Sequence, residues 1–150
     1  MLLSLSLLLP LVLPATSDCP SPWVSAPSYL DLGCLLIDTT AELNWEEAST
    51  FCQDLGASLL EVPTEAGLDF LRLKLMDSAA HQGSRSWWSS GRYSSGEWRW
   101  GSGRVVEPWL WREDQPNSPE TENCLYMCSE DFLGCDVKCQ YGYYPICQKK

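Results

Sequence analysis

The tripeptide Gln115-Pro116-Asn117 is the part of this sequence best equipped for chemistry. A proline there separates two side-chain amides, and amide carbonyl oxygens are donors that a hard cation such as calcium accepts. The tripeptide lies between a tryptophan-rich middle and a cysteine-dense final segment. Of eight cysteines, Cys19, Cys34 and Cys52 come early, while Cys124, Cys128, Cys135, Cys139 and Cys147 crowd the last part of the chain. Such a layout ties the two ends of a domain together and leaves the middle free to carry a binding surface. Catalytic constellations are missing. The single histidine, His81, sits in a polar stretch without an evident partner, and neither a Gly-x-Ser-x-Gly elbow nor a His-Glu-x-x-His pair occurs. Glu113 and Asp114 read as solvated loop charge, although two carboxylates alone can serve a secreted glycosidase. With every cysteine paired there is no thiol nucleophile, and the expectation is a binding protein rather than an enzyme.

The first residues point to export. Leu2 to Leu13 is almost wholly apolar and too short to span a bilayer, and Ala15-Thr16-Ser17 offers small residues for a signal peptidase. Residues 1–17 are therefore read as a signal peptide and 18–150 as one mature domain, within the usual single-domain size. An even number of cysteines in an exported chain reads as disulfides. Zinc is disfavoured by the lone histidine and by the absence of a Cys-x-x-Cys pair. The formal net charge of −10 argues against nucleic acid and anionic membrane as partners. It is compatible with calcium or cationic ligands, and equally with a surface that merely keeps a secreted protein soluble. No later stretch is long and apolar enough for a membrane helix, and Gln148-Lys149-Lys150 carries no lipid-anchor signal. The expected product is secreted and soluble, with no membrane insertion.

The elements that must position the tripeptide follow from local pattern. Tyr29 to Ile37 reads as a strand around Cys34. Asn44 is a good N-cap with Glu47 placed to complete a capping box, and Gly56 stops the helix. Trp45, Ala48, Phe51, Cys52 and Leu55 recur along it at helical spacing. Ser58 to Val62 is a short apolar strand ended by Pro63. Thr64 caps a second helix with an apolar Leu68, Leu71, Leu75 face, running to about Met76. Asp77 to Ser86 is a polar loop. From Trp87 onward, aromatic segments broken by glycine and serine predict strands, in which Trp87, Trp88, Trp98, Trp100, Trp109 and Trp111 have core and turn packing as their ordinary role. Glu113 to Glu122 is too polar for core, and Cys124 to Met127 and Tyr143 to Gln148 read as closing strands. The order predicts an α+β domain.

At this point the chain resembles the C-type lectin-like domain family over nearly all of its mature length. The carriers are Cys19-Pro20-Ser21-Pro22-Trp23, Trp45-Glu46-Glu47-Ala48-Ser49-Thr50-Phe51-Cys52, Gly96-Glu97-Trp98-Arg99-Trp100, Gln115-Pro116-Asn117, Glu122-Asn123-Cys124 and Cys135-Asp136-Val137-Lys138-Cys139. The resemblance implies two helices packed on small antiparallel sheets with a long binding loop. It also implies bridges Cys19 to Cys34, Cys52 to Cys147 and Cys124 to Cys139, leaving Cys128 for Cys135. The cysteine count alone leaves on the order of a hundred pairings open.

The resemblance further implies a Ca²⁺ ion that binds two vicinal sugar hydroxyls, with Gln115, Asn117, Glu122 and Asp136 at the matching ligand positions and a cis peptide at Pro116. One position departs from the pattern. The family's Trp-Asn-Asp triplet reads Gly134-Cys135-Asp136 here, so an amide oxygen is replaced by sulfur. Glu120 is a possible substitute ligand. Two readings stay open: a calcium site completed in another way, or a loop that binds no ion. Gln-Pro-Asn is a hybrid between the family's mannose-like and galactose-like tripeptides, and Trp109 or Trp111 can stack on a sugar face. The expected function is a secreted lectin for glycans or glycoproteins on microbial or host surfaces. A calcium-independent, protein-binding module using the same loop is the alternative.

Overall fold

The computed structural model describes residues 18–76 and 85–150. The expected signal peptide and most of the expected 77–86 loop lie outside them. In chain order the elements are β1 (Val24–Ser25), β2 (Cys34–Ile37), α1 (Trp45–Asp54), β3 (Ser58–Leu59), α2 (Glu65–Met76), β4 (Trp87–Ser94), β5 (Glu97–Arg99), β6 (Cys124–Met127), β7 (Gly134–Val137) and β8 (Tyr144–Lys149).

Both helices start where their caps predict. Asn44 Oδ1 accepts from the Glu47 N–H at 2.9 Å, and Glu47 Oε2 accepts from the Asn44 N–H at 3.0 Å, so two otherwise orphaned donors are satisfied. Past the end of α1, Gly56 takes φ +67° and donates its N–H to the Gln53 carbonyl at 2.9 Å, a conformation that glycine adopts without a Cβ penalty. For α2, Thr64 Oγ1 accepts from the Gly67 N–H at 3.0 Å, and Leu68, Leu71 and Leu75 are buried in the main core.

The described strands form one sheet in the order β1-β2-β8-β4-β6-β7, with β3 also on β8 and β5 on β4. All neighbours are antiparallel except β4 and β8, whose parallel pairing (Trp87 with Tyr144, Trp88 with Pro145) joins the two antiparallel halves. Gln148 is buried within β8. Its Oε1 accepts from the Glu61 N–H at 3.0 Å, and its Nε2 donates to the carbonyls of Leu32 at 2.9 Å and Glu61 at 3.2 Å. A single amide thus closes three backbone groups that the ladder leaves open, which a buried interior requires.

Three expectations need correction. The strand expected over Tyr29 to Ile37 begins only at Cys34, because Ser28–Leu30 turns as a 3₁₀ helix and Asp31 and Gly33 adopt φ +53° and +67°. The strand expected over Ser58 to Val62 keeps its ladder only at Ser58–Leu59. Beyond it, Leu60 still bridges β8 and β4, donating to Ile146 O at 3.0 Å and accepting from the Ser90 N–H at 2.8 Å. The strand β7 was not anticipated, since its Gly134-Cys135-Asp136-Val137 run lacks the alternation that marks a half-buried strand. It is buried throughout.

Trp87 and Trp88 are fully buried, and Trp98 and Trp100 nearly so, in the core role expected of them. All four implied disulfides are present: Cys19–Cys34, Cys52–Cys147, Cys124–Cys139 and Cys128–Cys135, with Cα separations of 5.7, 5.3, 5.3 and 6.2 Å. Among the described residues no helix is long and apolar enough to cross a membrane. The Cys52–Cys147 bridge spans a sequence separation of 95. Replacing both cysteines by alanine is expected to lower unfolding free energy by about 4–5 kcal/mol through restored chain entropy. Urea unfolding measures this, and an unchanged midpoint would contradict it.

Candidate functional site

The long loop leaves the core at a 3₁₀ turn, Pro108–Leu110, and is fastened at once to the β6–β7 hairpin. Trp111 forms a parallel bridge with Gly134, and the Arg112 N–H donates to the Gly134 carbonyl at 3.0 Å. The Arg112 guanidinium forks onto Asp131, Nε to Oδ2 and Nη2 to Oδ1, both at 2.9 Å. Asp131 also accepts from the Leu133 N–H at 3.0 Å. Burial by itself would raise the Asp131 pKa, but the Arg112 and Leu133 hydrogen bonds outweigh it and leave the carboxyl below the usual carboxylate range. Neither residue was singled out from the sequence. The signal was there: Arg112 heads a segment in which no other lysine or arginine occurs until Lys138.

The middle of the loop is held by Asp136 of β7. The Gln115–Pro116 peptide is cis, as the resemblance implies. Asp136 is only 5% exposed, and both its carboxylate oxygens accept backbone hydrogen bonds: Oδ1 from the Asn117 N–H at 3.1 Å and Oδ2 from the Ser118 N–H at 2.7 Å. In return, Gln115 Oε1 accepts from the Asp136 N–H at 3.4 Å. The far side closes on itself, since the Ser118 carbonyl accepts from the N–H groups of Thr121 at 3.1 Å and Glu122 at 2.8 Å. Asn123 Nδ2 donates to Pro119 O at 2.7 Å.

Of the sequence-predicted residues, Gln115, Asn117 and Asp136 are thus brought together, Asn117 through its backbone. The Asn117 side chain is exposed, as is Glu120, while Glu122 is half-buried. Trp109 and Trp111 are half-buried and pack against the core, where Trp111 meets Trp98 edge-on with centroids 5.0 Å apart. Gly134 is where this packing is tightest, since a Cβ there would lie 3.3 Å from Leu110 Cδ2 and 3.4 Å from Trp111 Cε3. Cys135, beside the clamping aspartate, is bonded to Cys128. Behind the hairpin, Tyr126 and Tyr143 stack with centroids 4.6 Å apart, and burial first of all raises the pKa of each.

The profile of the lectin C-type domain matches residues 41–149. This chain belongs to the C-type lectin domain family. Among curated relatives, the CD209 antigen of Pongo pygmaeus is 26% identical over 136 residues, covering 87% of this chain and 31% of that protein. The chain therefore spans about a third of that relative's length. Among solved structures, an SPL-1 complex with GlcNAc aligns with TM-score 0.76 at 24% identity, covering 90% of this chain and 97% of that one. A calcium-independent type II antifreeze protein aligns with TM-score 0.70 at 22% identity, covering 87% and 93%. These two structural likenesses establish the fold.

C-type lectin domains commonly bind calcium, and the loop has to be judged against that ion. Among the described residues no three His, Cys, Asp or Glu side chains group so as to hold a metal. The Asp136 oxygens already face backbone N–H groups, and the position before it is a disulfide sulfur rather than an amide oxygen. The magnitudes point the same way. Two hydrogen bonds to a charged group contribute about 1.5–3 kcal/mol each, whereas a weak extracellular calcium site, with Kd about 0.1–1 mM, amounts to about 4–5.5 kcal/mol. An ion that had to displace both bonds would gain little. In this arrangement the donor set does not fit calcium.

Two outcomes follow. Asp136→Asn removes one charge-assisted bond and sets an NH₂ against a backbone N–H, so it should destabilise by about 1.5–3 kcal/mol and speed amide exchange at Asn117 and Ser118. Unchanged stability and exchange would show that the carboxylate does not hold the loop. For Asp131, whose native pKa is depressed, the stabilisation is full above the unfolded value of ~3.9 and is lost as pH falls through the native pKa. Asp131→Asn should therefore be less stable than the parent protein at neutral pH, with the gap closing in strong acid; paired thermal melts across pH check this.

Proposed function

We propose that this domain is a secreted carbohydrate-binding lectin that meets glycans or glycoproteins at the surface of the Gln115–Glu122 loop without needing calcium. The observation that carries the reading is the Asp136 clamp on Asn117 and Ser118, because it shapes the loop with groups the chain itself supplies. The glycan part is supported by membership of the lectin family and by a structure of this fold that was solved with GlcNAc. Neighbours of the same fold include one described as calcium-independent and one described as Ca²⁺-dependent, so the calcium-free part rests on the clamp.

The residues left to meet a ligand are the exposed Asn117 side chain, the exposed Glu120 and the half-buried Glu122, a set of hydroxyl acceptors with one amide donor. Trp109 and Trp111 act from beneath by holding the base of the loop. Lectin sites of this kind are individually weak, so firm attachment to a surface comes from dense ligand or self-association.

A glycan array read in chelator and again in millimolar Ca²⁺ tests both parts. The same glycans should be retained in both, and the melting temperature should not move with calcium. Binding that vanishes in chelator, or a melting temperature that rises with Ca²⁺, overturns the calcium-free reading. No glycan retained under either condition overturns the lectin reading and favours a protein partner for the loop.

A further inference from the structure

We infer that a second cleft, bounded by α1, β3 and the turn after Trp100, binds a neutral saccharide through a buried carboxylate. The cleft encloses about 500 Å³, within the roughly 300–1,000 Å³ of ordinary ligand pockets. It shares no residue with the 108–136 segment, so the inference does not rest on the reading of the loop. Its lining includes Trp45, Ser49, Gln53, Glu61, Ser90 and Ser102.

Glu61 is the decisive group. It is 6% exposed, its backbone is fixed at both N–H and C=O by Gln148, and it is one of the residues that line the cleft. Among the described residues nothing donates a hydrogen bond to its carboxylate. Arg104 Nη1 stands 3.7 Å away and is shared with Asp31 at 4.0 Å. A carboxylate this shielded is stabilised by hydrogen-bond donors, and the cleft is a route by which they can reach it.

The remaining lining says which donors fit. Ser90, 8% exposed, accepts from the Gly101 N–H at 3.0 Å, which leaves its own hydroxyl proton to donate. Ser49 and Gln53 lie one helical turn apart on α1 and each can both donate and accept. Trp45 adds an apolar ring in a fixed orientation, since its Nε1 donates to Ser89 O at 2.9 Å and the Arg92 guanidinium packs 4.6 Å from the ring centroid. Charge narrows the class further. Glu61 repels an anion, and a cation would have to enter past Arg104 and past Lys150, which lines the cleft while pairing with Asp31 at 3.1 Å. A neutral molecule with adjacent hydroxyls and an apolar face satisfies every group present, with the carboxylate taking two hydroxyl protons where a metal ion would otherwise take two hydroxyl oxygens.

The test is a ¹⁵N-NMR titration of the refolded protein in chelator with glucose, galactose, mannose and N-acetylglucosamine. At least one of these sugars should shift the amides of Ser49, Gln53, Gly101 and Ser102. Ser49→Phe, which fills the cleft, should abolish the shifts, and Glu61→Gln, which keeps its shape, should weaken binding about tenfold or more, as loss of a charge-assisted hydrogen bond implies. Should Ser49→Phe fail to fold, the Glu61→Gln spectrum reports both folding and affinity and decides alone. The inference is overturned if no sugar moves these amides, if the shifts are confined to 115–136, or if Glu61→Gln binds as tightly as the parent protein. Loss of the loop site leaves the cleft shifts in place, so the two failures are distinguishable.

Discussion

The constraint on which the rest of the molecule depends is the shared use of β8. It pairs with β2 and β3 on one side of the fold and with β4 on the other, and Cys147 bonds it to α1. Among the described strands, its parallel pairing with β4 joins the two antiparallel halves of the sheet. The buried Gln148 is what makes so crowded a position tolerable, because the groups left over by the irregular segments at Leu32 and Glu61 would otherwise be orphaned in the core. The long loop inherits this rigidity through β4, β6 and β7, and the α1 cleft inherits it directly, since Gln148 fixes the backbone of Glu61.

The loop and the cleft solve a common problem differently. Each must hold carboxylate oxygens in a place of low exposure. In the loop, both Asp136 oxygens accept from backbone N–H groups, so the carboxylate is used in shaping the chain. In the cleft, Glu61 accepts no hydrogen bond among the described residues and is ion-paired at 3.7 Å with an exposed arginine, Arg104. The first arrangement shapes a surface with groups the chain itself supplies, and the second leaves an acceptor beside a cleft.

The sequence made the helices, their caps and the tryptophan core legible, because those follow from local spacing and burial. The disulfide pairing was legible only through resemblance to a family. Other features were hidden for definable reasons. Asp136 looked like a metal ligand, because a residue type does not reveal whether its oxygens will face a cation or backbone amides. Glu61 lay inside Ser58 to Val62, where Leu59, Leu60 and Val62 hid one carboxylate in an apolar run. Tyr29, Leu30 and Leu32 suggested a strand, but Asp31 and Gly33 turn the backbone left-handed where Gly33 passes close to Lys149: a Cβ would sit 2.1 Å from its carbonyl oxygen. Such a contact between distant parts of the chain has no local signature.

The tight approach of Leu110 and Trp111 to Gly134 bears on how this loop can evolve. A larger residue at 134 would press on two side chains packed beneath the loop, which would have to give by a few tenths of an ångström, and an amide at 135 would strand Cys128 as a free thiol next to the hairpin. Neighbouring substitutions of this kind are coupled rather than additive. Restoring the family's triplet would therefore require concerted change at Leu110 or Trp111, at Gly134, and at both Cys128 and Cys135. The geometry ties these five positions together, so that in its present packing the base of the loop changes as a unit.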